Sequence, residues 1–440
     1  MDKKVAEKKV KKPKWGAPSW YKLDLTAIVF PTLQRRDFSS VYRMSVLLYE
    51  KVDPELLQKA FDETLKRFPT YKVAIRSGLF WRYFEENNRP GPFVQKDVQN
   101  PCQPMSFRSG SRYLVRLYYY ENRISFEAHH CLGDGTGGMA VFLTIVAQYL
   151  HLKGYNDFGT GGYVKDIHEK PPAGEMEDAY MRYASPGSKV NKPPHGPKAY
   201  RVLGTKEPFY TLNIVDGIMP AAEVKQVAKK YGATVTEYFN AVLLDSLLRK
   251  QKKKGSRKPM PVALAMPVNL RQFFPSGTLR NFITMVYPCI DPNLGEYTFE
   301  EIVKEVHNYM RYYINAKFLG RDVTSNASIQ RNTLIKLVPL GIKDLVVKTF
   351  YTKVQDRSSS AGLTNMGRLT LPEGMEKYVE RVDINMGQPF SCRTNCAIIS
   401  YKDTLTVNFA SSIVEADVER WFFRRLVKDG IHVKIESNRE

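Results

Sequence analysis

Residues 124–135 read Ile124-Ser125-Phe126-Glu127-Ala128-His129-His130-Cys131-Leu132-Gly133-Asp134-Gly135. The first seven alternate as a pleated strand does. Ile124, Phe126, Ala128 and His130 share one side, and Ser125, Glu127 and His129 the other. The alternation predicts that His130 looks into the apolar interior while His129 sits among polar neighbours. Residues 113–119 read as a preceding strand, joined to this one at Glu121-Asn122 in a hairpin. A glycine-rich turn follows, in which Gly133, Gly135, Gly137 and Gly138 are expected to supply positive backbone dihedrals. Asp134 or Thr136 is placed to cap a helix that runs to Leu150. A neutral imidazole at such a strand end can accept a proton. Two plainer readings stand beside that one: His130 as a hydrogen-bonded core histidine, and Asp134 as a helix cap and nothing more.

Paired histidines near an aspartate also invite a metal. Adjacent strand residues point to opposite faces, however, and His151, His168, His195, His307 and His432 form no second cluster with zinc-ligand spacing. No metal site is expected. Cys131 adjoins His130, a separation that does not suit nucleophile-to-base geometry, so it is read as loop packing.

The 440 residues suffice for two domains, each with its own core. Hydrophobic content of 43% excludes a disordered chain. No stretch is long and charge-free enough to span a bilayer, the best, residues 137–150, reading as a buried helix. The lysine-rich start lacks a following apolar segment and does not read as a secretory signal. Five scattered cysteines argue for a reducing, cytoplasmic compartment.

The formal charge of +21 is unevenly spread. Residues 1–14 hold seven lysines against Asp2 and Glu7, and residues 249–258 hold seven basic residues and no acidic one. Both segments read as solvated, with attraction to anionic membrane or to coenzyme phosphates as the functional alternatives. For the membrane, Trp15 and Trp20 would serve as anchors beside the tail. For the phosphates, Lys252, Lys253, Lys254, Arg257 and Lys258 are the candidates. Nucleic acid is not expected, since no recognisable module is present and the aromatics do not interleave with a basic groove.

Residues 154–198 are rich in glycine and proline and mark a crossover between two halves. In the first, a strand at 41–49 precedes a helix at 53–67; in the second, a strand at 209–214 precedes a helix at 220–231. Residues 113–130 form a hairpin followed by a helix, and 397–410 form another, turning at Lys402-Asp403, with a helix at 415–426. The divisions are therefore a basic tail at 1–19, an N-terminal domain at 20–153, a linker at 154–198 and a C-terminal domain at 199–440. Helix 235–251, helix 301–317 and the stretch 333–352 are expected in the core. The second hairpin ends in Ser411-Ser412 where the first ends in the histidine pair, which implies one site per chain.

The run from His129 to Gly135 resembles the HHxxxDG motif of the chloramphenicol-acetyltransferase-like superfamily. That group includes alcohol acetyltransferases, plant BAHD acyltransferases, polyketide-associated acyltransferases and nonribosomal-peptide condensation domains. Pro267-Val268-Asn269-Leu270-Arg271, followed by Leu279-Arg280-Asn281, resembles the segment whose arginine pairs with the motif aspartate. Thr364-Asn365-Met366-Gly367-Arg368 is similar to the SNLG-type segment near the acyl channel. The BAHD signature DFGWG is matched only by Asp383-Ile384-Asn385-Met386-Gly387-Gln388-Pro389, a departure that favours the alcohol-acetyltransferase branch.

The resemblance implies an α/β fold of two chloramphenicol-acetyltransferase-like sandwich domains with the active site at their interface. It implies transfer of an acyl group, acetyl in the first instance, from coenzyme A to a hydroxyl, without a covalent intermediate. His130 would be the general base, a role that contributes on the order of 10² to 10⁴ in rate. His129, Asp134, Gly135 and Arg271 would support the motif, with Asp134 and Arg271 as a salt bridge. Thr364 and Asn365 would lie at the oxyanion or acyl channel, and acyl-coenzyme A would be a co-substrate with no bound cofactor. Two alternatives stay open: a condensation-type or polyketide-associated enzyme drawing on a carrier-protein thioester, and a non-catalytic binding protein on the same fold.

Overall fold

The computed structural model describes residues 20–35, 38–185, 198–253, 255, 258–353, 357–387 and 393–439. The lysine-rich tail, Lys254, Arg257, His195 and Gln388-Pro389 lie outside the described residues.

The first half supplies β1 (Trp20–Lys22), α1 (Leu25–Leu33), β2 (Val41–Leu48), α2 (Pro54–Arg67), β3 (Val73–Ser77) and β4 (Arg82–Glu86). It continues with β5 (Gln95–Lys96), β6 (Val115–Tyr120), β7 (Arg123–His129) and α3 (Gly135–Leu152). The crossover carries α4 (Ala179–Tyr183) and leads to β8 (Asn213–Pro220), α5 (Ala221–Lys230), α6 (Val235–Lys253) and β9 (Val262–Asn269). Next come β10 (Ile283–Val286), β11 (Cys289–Ile290), α7 (Phe299–Tyr313), α8 (Ala316–Arg331), α9 (Thr333–Leu337) and α10 (Leu340–Lys353). The chain closes with β12 (Ala361–Leu369), β13 (Val379–Met386), β14 (Thr394–Tyr401), β15 (Thr404–Ser411), α11 (Asp417–Lys428) and β16 (Lys434–Ser437).

Two main sheets result. One has the order β13-β2-β7-β6-β5; the other runs β10-β9-β12-β14-β15-β8-β16, with β11 also on β9. A small third sheet, β1-β4-β3, stands beside the first. The first sheet draws β13 from the second half, so a strand from residues 379–386 lies antiparallel to β2 and crosses the 154–198 division.

The pleat places the apolar face of β7 against helix. Phe126 stacks on Phe142 of α3 with centroids 5.8 Å apart. Burying such a side chain contributes about 1.5–3 kcal/mol. Among the described residues α3 alone is long and apolar enough to cross a membrane, and it is buried in this core. The opposite face is a buried polar layer. Ser45 meets Ser125 at 2.9 Å, and Arg43 binds Glu127 at 3.0 Å and Asp97 at 2.8 Å, so each buried charge has a partner. In the larger sheet, Phe409 of β15 packs edge-on against Phe422 and Phe423 of α11.

Three expectations need correction. The strand placed at 209–214 is β8, beginning at Asn213, because Pro208 to Thr211 close a turn through the Thr211 N–H. The helix placed at 301–317 breaks into α7 and α8, since Asn315 leaves helical backbone and caps α8 with its side chain. The stretch 333–352 is no core element: Leu334, Leu337, Ile342, Leu345 and Val346 are all exposed, by 55% or more.

Candidate functional site

His130 follows β7 directly, and its N–H still donates to Ser40 O at 2.8 Å, continuing the pairing with β2. The two histidines occupy the expected faces with the expected burial reversed. His129 is fully buried, whereas His130 is partly exposed at the sheet's end. The polar face of β7 is itself covered, and the strand ends before His130 can enter the core.

Around His130, the Phe30 ring of α1 stacks at 4.4 Å and Tyr42 of β2 stands edge-on at 5.5 Å. Asn281, two residues before β10, fixes the tautomer. Its Nδ2 donates to His130 O at 3.1 Å, which turns Oδ1 toward the imidazole, 3.0 Å from Nδ1. Nδ1 must then carry the proton, leaving a lone pair on Nε2. Burial lowers the pKa of His130 below the ordinary histidine value, against a smaller upward pull from Asp134, its own carbonyl and Asn281. The ring is therefore neutral at pH 7.

His129 holds the opposite tautomer. Its Nδ1 accepts from Cys131 N–H at 3.2 Å, so Nε2 donates to Gln34 Oε1 at 3.1 Å. Both nitrogens are engaged, and burial, with His130 adding to it, pushes the ring down to about 3.

Asp134 caps α3, its Oδ1 accepting from the N–H groups of Thr136 at 3.1 Å and Gly137 at 3.3 Å. Its Oδ2 accepts from Phe282 N–H at 2.9 Å and from Arg271 at 2.8 Å. Arg271 is fully committed: Nε donates to Thr278 O, Nη1 to Asp134 and Asn269 Oδ1, and Nη2 to Thr278 O and Arg280 O. No N–H of this guanidinium remains for a ligand. The pair thus joins the first-half turn to the β9–β10 connection of the second half, beside His130.

The glycines serve close approach instead of unusual dihedrals, since none of Gly133, Gly135, Gly137 and Gly138 has positive φ. A Cβ on Gly137 would lie 1.9 Å from Leu279 O, and one on Gly135 would lie 2.7 Å from Met366 Sδ. Leu279 and Met366 belong to the two second-half segments that the sequence singled out.

Thr364 and Asn365 sit on β12, next to an irregularity in its pairing with β14. Asn365 Nδ2 donates to Thr236 Oγ1 at 2.9 Å and its Oδ1 accepts from Gly367 N–H at 2.8 Å; neither residue hydrogen-bonds to His130. Of the cationic candidates, Lys252 pairs with Glu296 at 2.7 Å and Lys253 with Asp417 at 3.4 Å, so carboxylates already hold two of the groups expected to meet phosphates. Among the described residues no cluster of three or more His, Cys, Asp or Glu has metal-binding geometry. A cavity of about 820 Å³ is lined by Trp20, Arg76, Trp81, Tyr83 and Arg112 and includes none of the residues around His130.

Phe30, Tyr42 and Asn281 complete the site, and sequence reasoning gave none of them a role. Asn281 lay inside a quoted segment, but its pairing with His130 spans 151 positions and leaves no local signal.

No protein-family model matches the chain, and no curated protein matches it by sequence. Solved structures do. TRI101 of F. graminearum, complexed with coenzyme A and T-2 mycotoxin, superposes with TM-score 0.61 at 12% identity, covering 94% of this chain and 99% of that one. Polyketide synthase associated protein 5 from Mycobacterium tuberculosis gives 0.55 at 14% identity, covering 92% and 96%. The condensation domain of the Monacolin K polyketide synthase MokA gives 0.54 at 15% identity, covering 94% and 96%. The chain has the two-domain α/β fold of these acetyltransferases and condensation domains.

Proposed function

We propose that this protein, built on the fold shared by TRI101 and the condensation domains, is an acyltransferase that carries an acyl group from coenzyme A to a hydroxyl. The observation that carries the reading is the Asn281 contact, which leaves Nε2 of a neutral His130 as a proton acceptor. The acceptor oxygen attacks the thioester carbonyl carbon while Nε2 takes its proton. The tetrahedral adduct then collapses, the C–S bond breaks, and the imidazolium returns the proton to the departing sulfur. A thioester is already activated, so no acyl-enzyme is required. Thr364 and Asn365 are the proposed oxyanion or channel residues, a donor of that kind supplying about 10² to 10³ in rate. His129, Asp134, Gly135 and Arg271 hold the turn.

Purified protein incubated with acetyl-coenzyme A and a panel of alcohols, with free thiol followed over time, tests the reading. Thiol release above that of His130→Ala supports it; no release over a varied set of donors and acceptors sinks it. The fold of the MokA condensation domain, together with the charge of +21, favours one second reading, a carrier-protein thioester as donor. Donor use that requires a carrier protein and weakens steeply with salt would replace coenzyme A by that carrier.

A further inference from the structure

Helix α10 is turned inside out. Asp344 faces the body of the protein, where its carboxylate accepts from Arg82 at 2.6 and 2.8 Å and from Thr32 of α1 at 3.0 Å. Lys343 Nζ also turns inward, donating to Phe80 O at 2.8 Å and Lys336 O at 3.2 Å. The opposite face is apolar, with Ile342, Leu345 and Val346 exposed by 55%, 66% and 60% at helical spacing. Leu334 and Leu337 of α9 extend the patch, and Leu79 and Trp81 adjoin it through the Leu340 N–H bond to Leu79 O at 2.8 Å. A soluble monomer seldom leaves so many large apolar side chains together in water.

The surrounding charge selects the occupant. With Lys343 turned inward, residues 331–348 still contain Arg331, Lys336 and Lys348 against Asp344 alone, and Arg82 already matches that carboxylate. Aliphatic side chains projecting from a basic surface, with a tryptophan at the margin, suit the boundary between anionic headgroups and acyl chains. A second copy packed on the same face would set two basic surfaces against each other. We propose that α9, α10 and the Leu79–Trp81 turn dock this protein on an anionic phospholipid bilayer, the aliphatic face entering the interface and the basic surface around it facing lipid phosphates.

The docking stands apart from the acyltransferase reading. If both hold, the bilayer contacts the helix that leans on α1, whose Phe30 stacks on His130.

The test is sedimentation of the full chain with vesicles of phosphatidylcholine, with and without about one-third phosphatidylglycerol. The wild type should bind the anionic vesicles and be released as salt rises. Leu345→Glu with Val346→Glu, both solvent-facing, should lower partitioning by about tenfold or more with an unchanged thermal midpoint. Leu345→Ala should give a smaller loss, which guards against a misfolded double variant. Failure of the wild type to bind, or wild-type partitioning by the double variant, overturns the proposal. So does a wild-type dimer in sedimentation velocity that the double variant converts to monomer, because a second copy would then cover the face. Thiol release is measured separately, so failure to dock and failure to catalyse are told apart.

Discussion

At His129 both ring nitrogens are spent, one accepting from Cys131 N–H and one donating to Gln34, inside a pocket closed to solvent. At His130 a single nitrogen is held, by Asn281, and the other is left unprotonated at the partly exposed end of the sheet. Burial lowers the basicity of both rings. What separates the two rings is therefore which nitrogen the neighbours occupy, more than the depth of burial.

The largest effect expected from breaking the contrast is on rate. His130→Ala should lower turnover by about 10² to 10⁴ while costing only about 0.5–1.5 kcal/mol of stability, the worth of its stacking on Phe30; steady-state thiol release and thermal unfolding measure the two. His129→Ala should reverse the pattern, removing stability through the unpaired Cys131 N–H and Gln34. Equal rate losses with equal stability losses in the two variants would erase the distinction.

Asp134→Asn comes next. It breaks a buried ion pair and should cost about 3–5 kcal/mol in denaturant unfolding. A rate loss with unchanged stability would instead make Asp134 part of the chemistry.

Asn281→Ala is a sharper probe because Asn281 is a positioning residue. Loss of its hydrogen bond should lower kcat about tenfold, with KM little changed. The acid limb of the wild-type kcat/KM profile should lie below pH 6.5, since burial depresses His130 and the base must be neutral. Asn281 raises that pKa, so the variant's limb should move further toward acid.

The last effect vanishes at neutral pH and grows only on acidification: the pH dependence of stability at His129. Folded His129 titrates near 3 against about 6.5 unfolded, so below pH 6.5 the unfolded chain binds a proton that the folded one refuses. Its contribution is complete above pH 6.5 and is lost on acidification toward pH 3, by up to about 1.4 kcal/mol per pH unit. His129→Gln should flatten the slope over that window even if it lowers stability throughout.

The α3 cap was legible because it rests on local geometry, whereas the Asp134–Arg271 pair, 137 positions apart, was legible only through the family resemblance that the HHxxxDG run carries. The burial of the two histidines was not. Alternation assigns faces, yet it cannot say that the polar face of β7 would be covered or that the strand would stop at His129. The glycines were assigned the right turn for the wrong reason, because the atoms a Cβ would strike, Leu279 O at Gly133 and Gly137 and Met366 Sδ at Gly135, come from segments more than a hundred residues away. Helix α10 misled for a similar reason: apolar residues at helical spacing look the same in sequence whether they face a core or leave one.

The strand β13 has a consequence for synthesis. Until residues 379–386 leave the ribosome, β2 has an open edge, and the first-half sheet lacks one of its five strands for most of translation. Unpaired strand edges recruit other chains. Stalled nascent chains ending in the crossover should therefore engage chaperones and resist protease poorly, and a fragment comprising residues 20–153 should aggregate when produced alone unless a peptide spanning 379–386 is supplied.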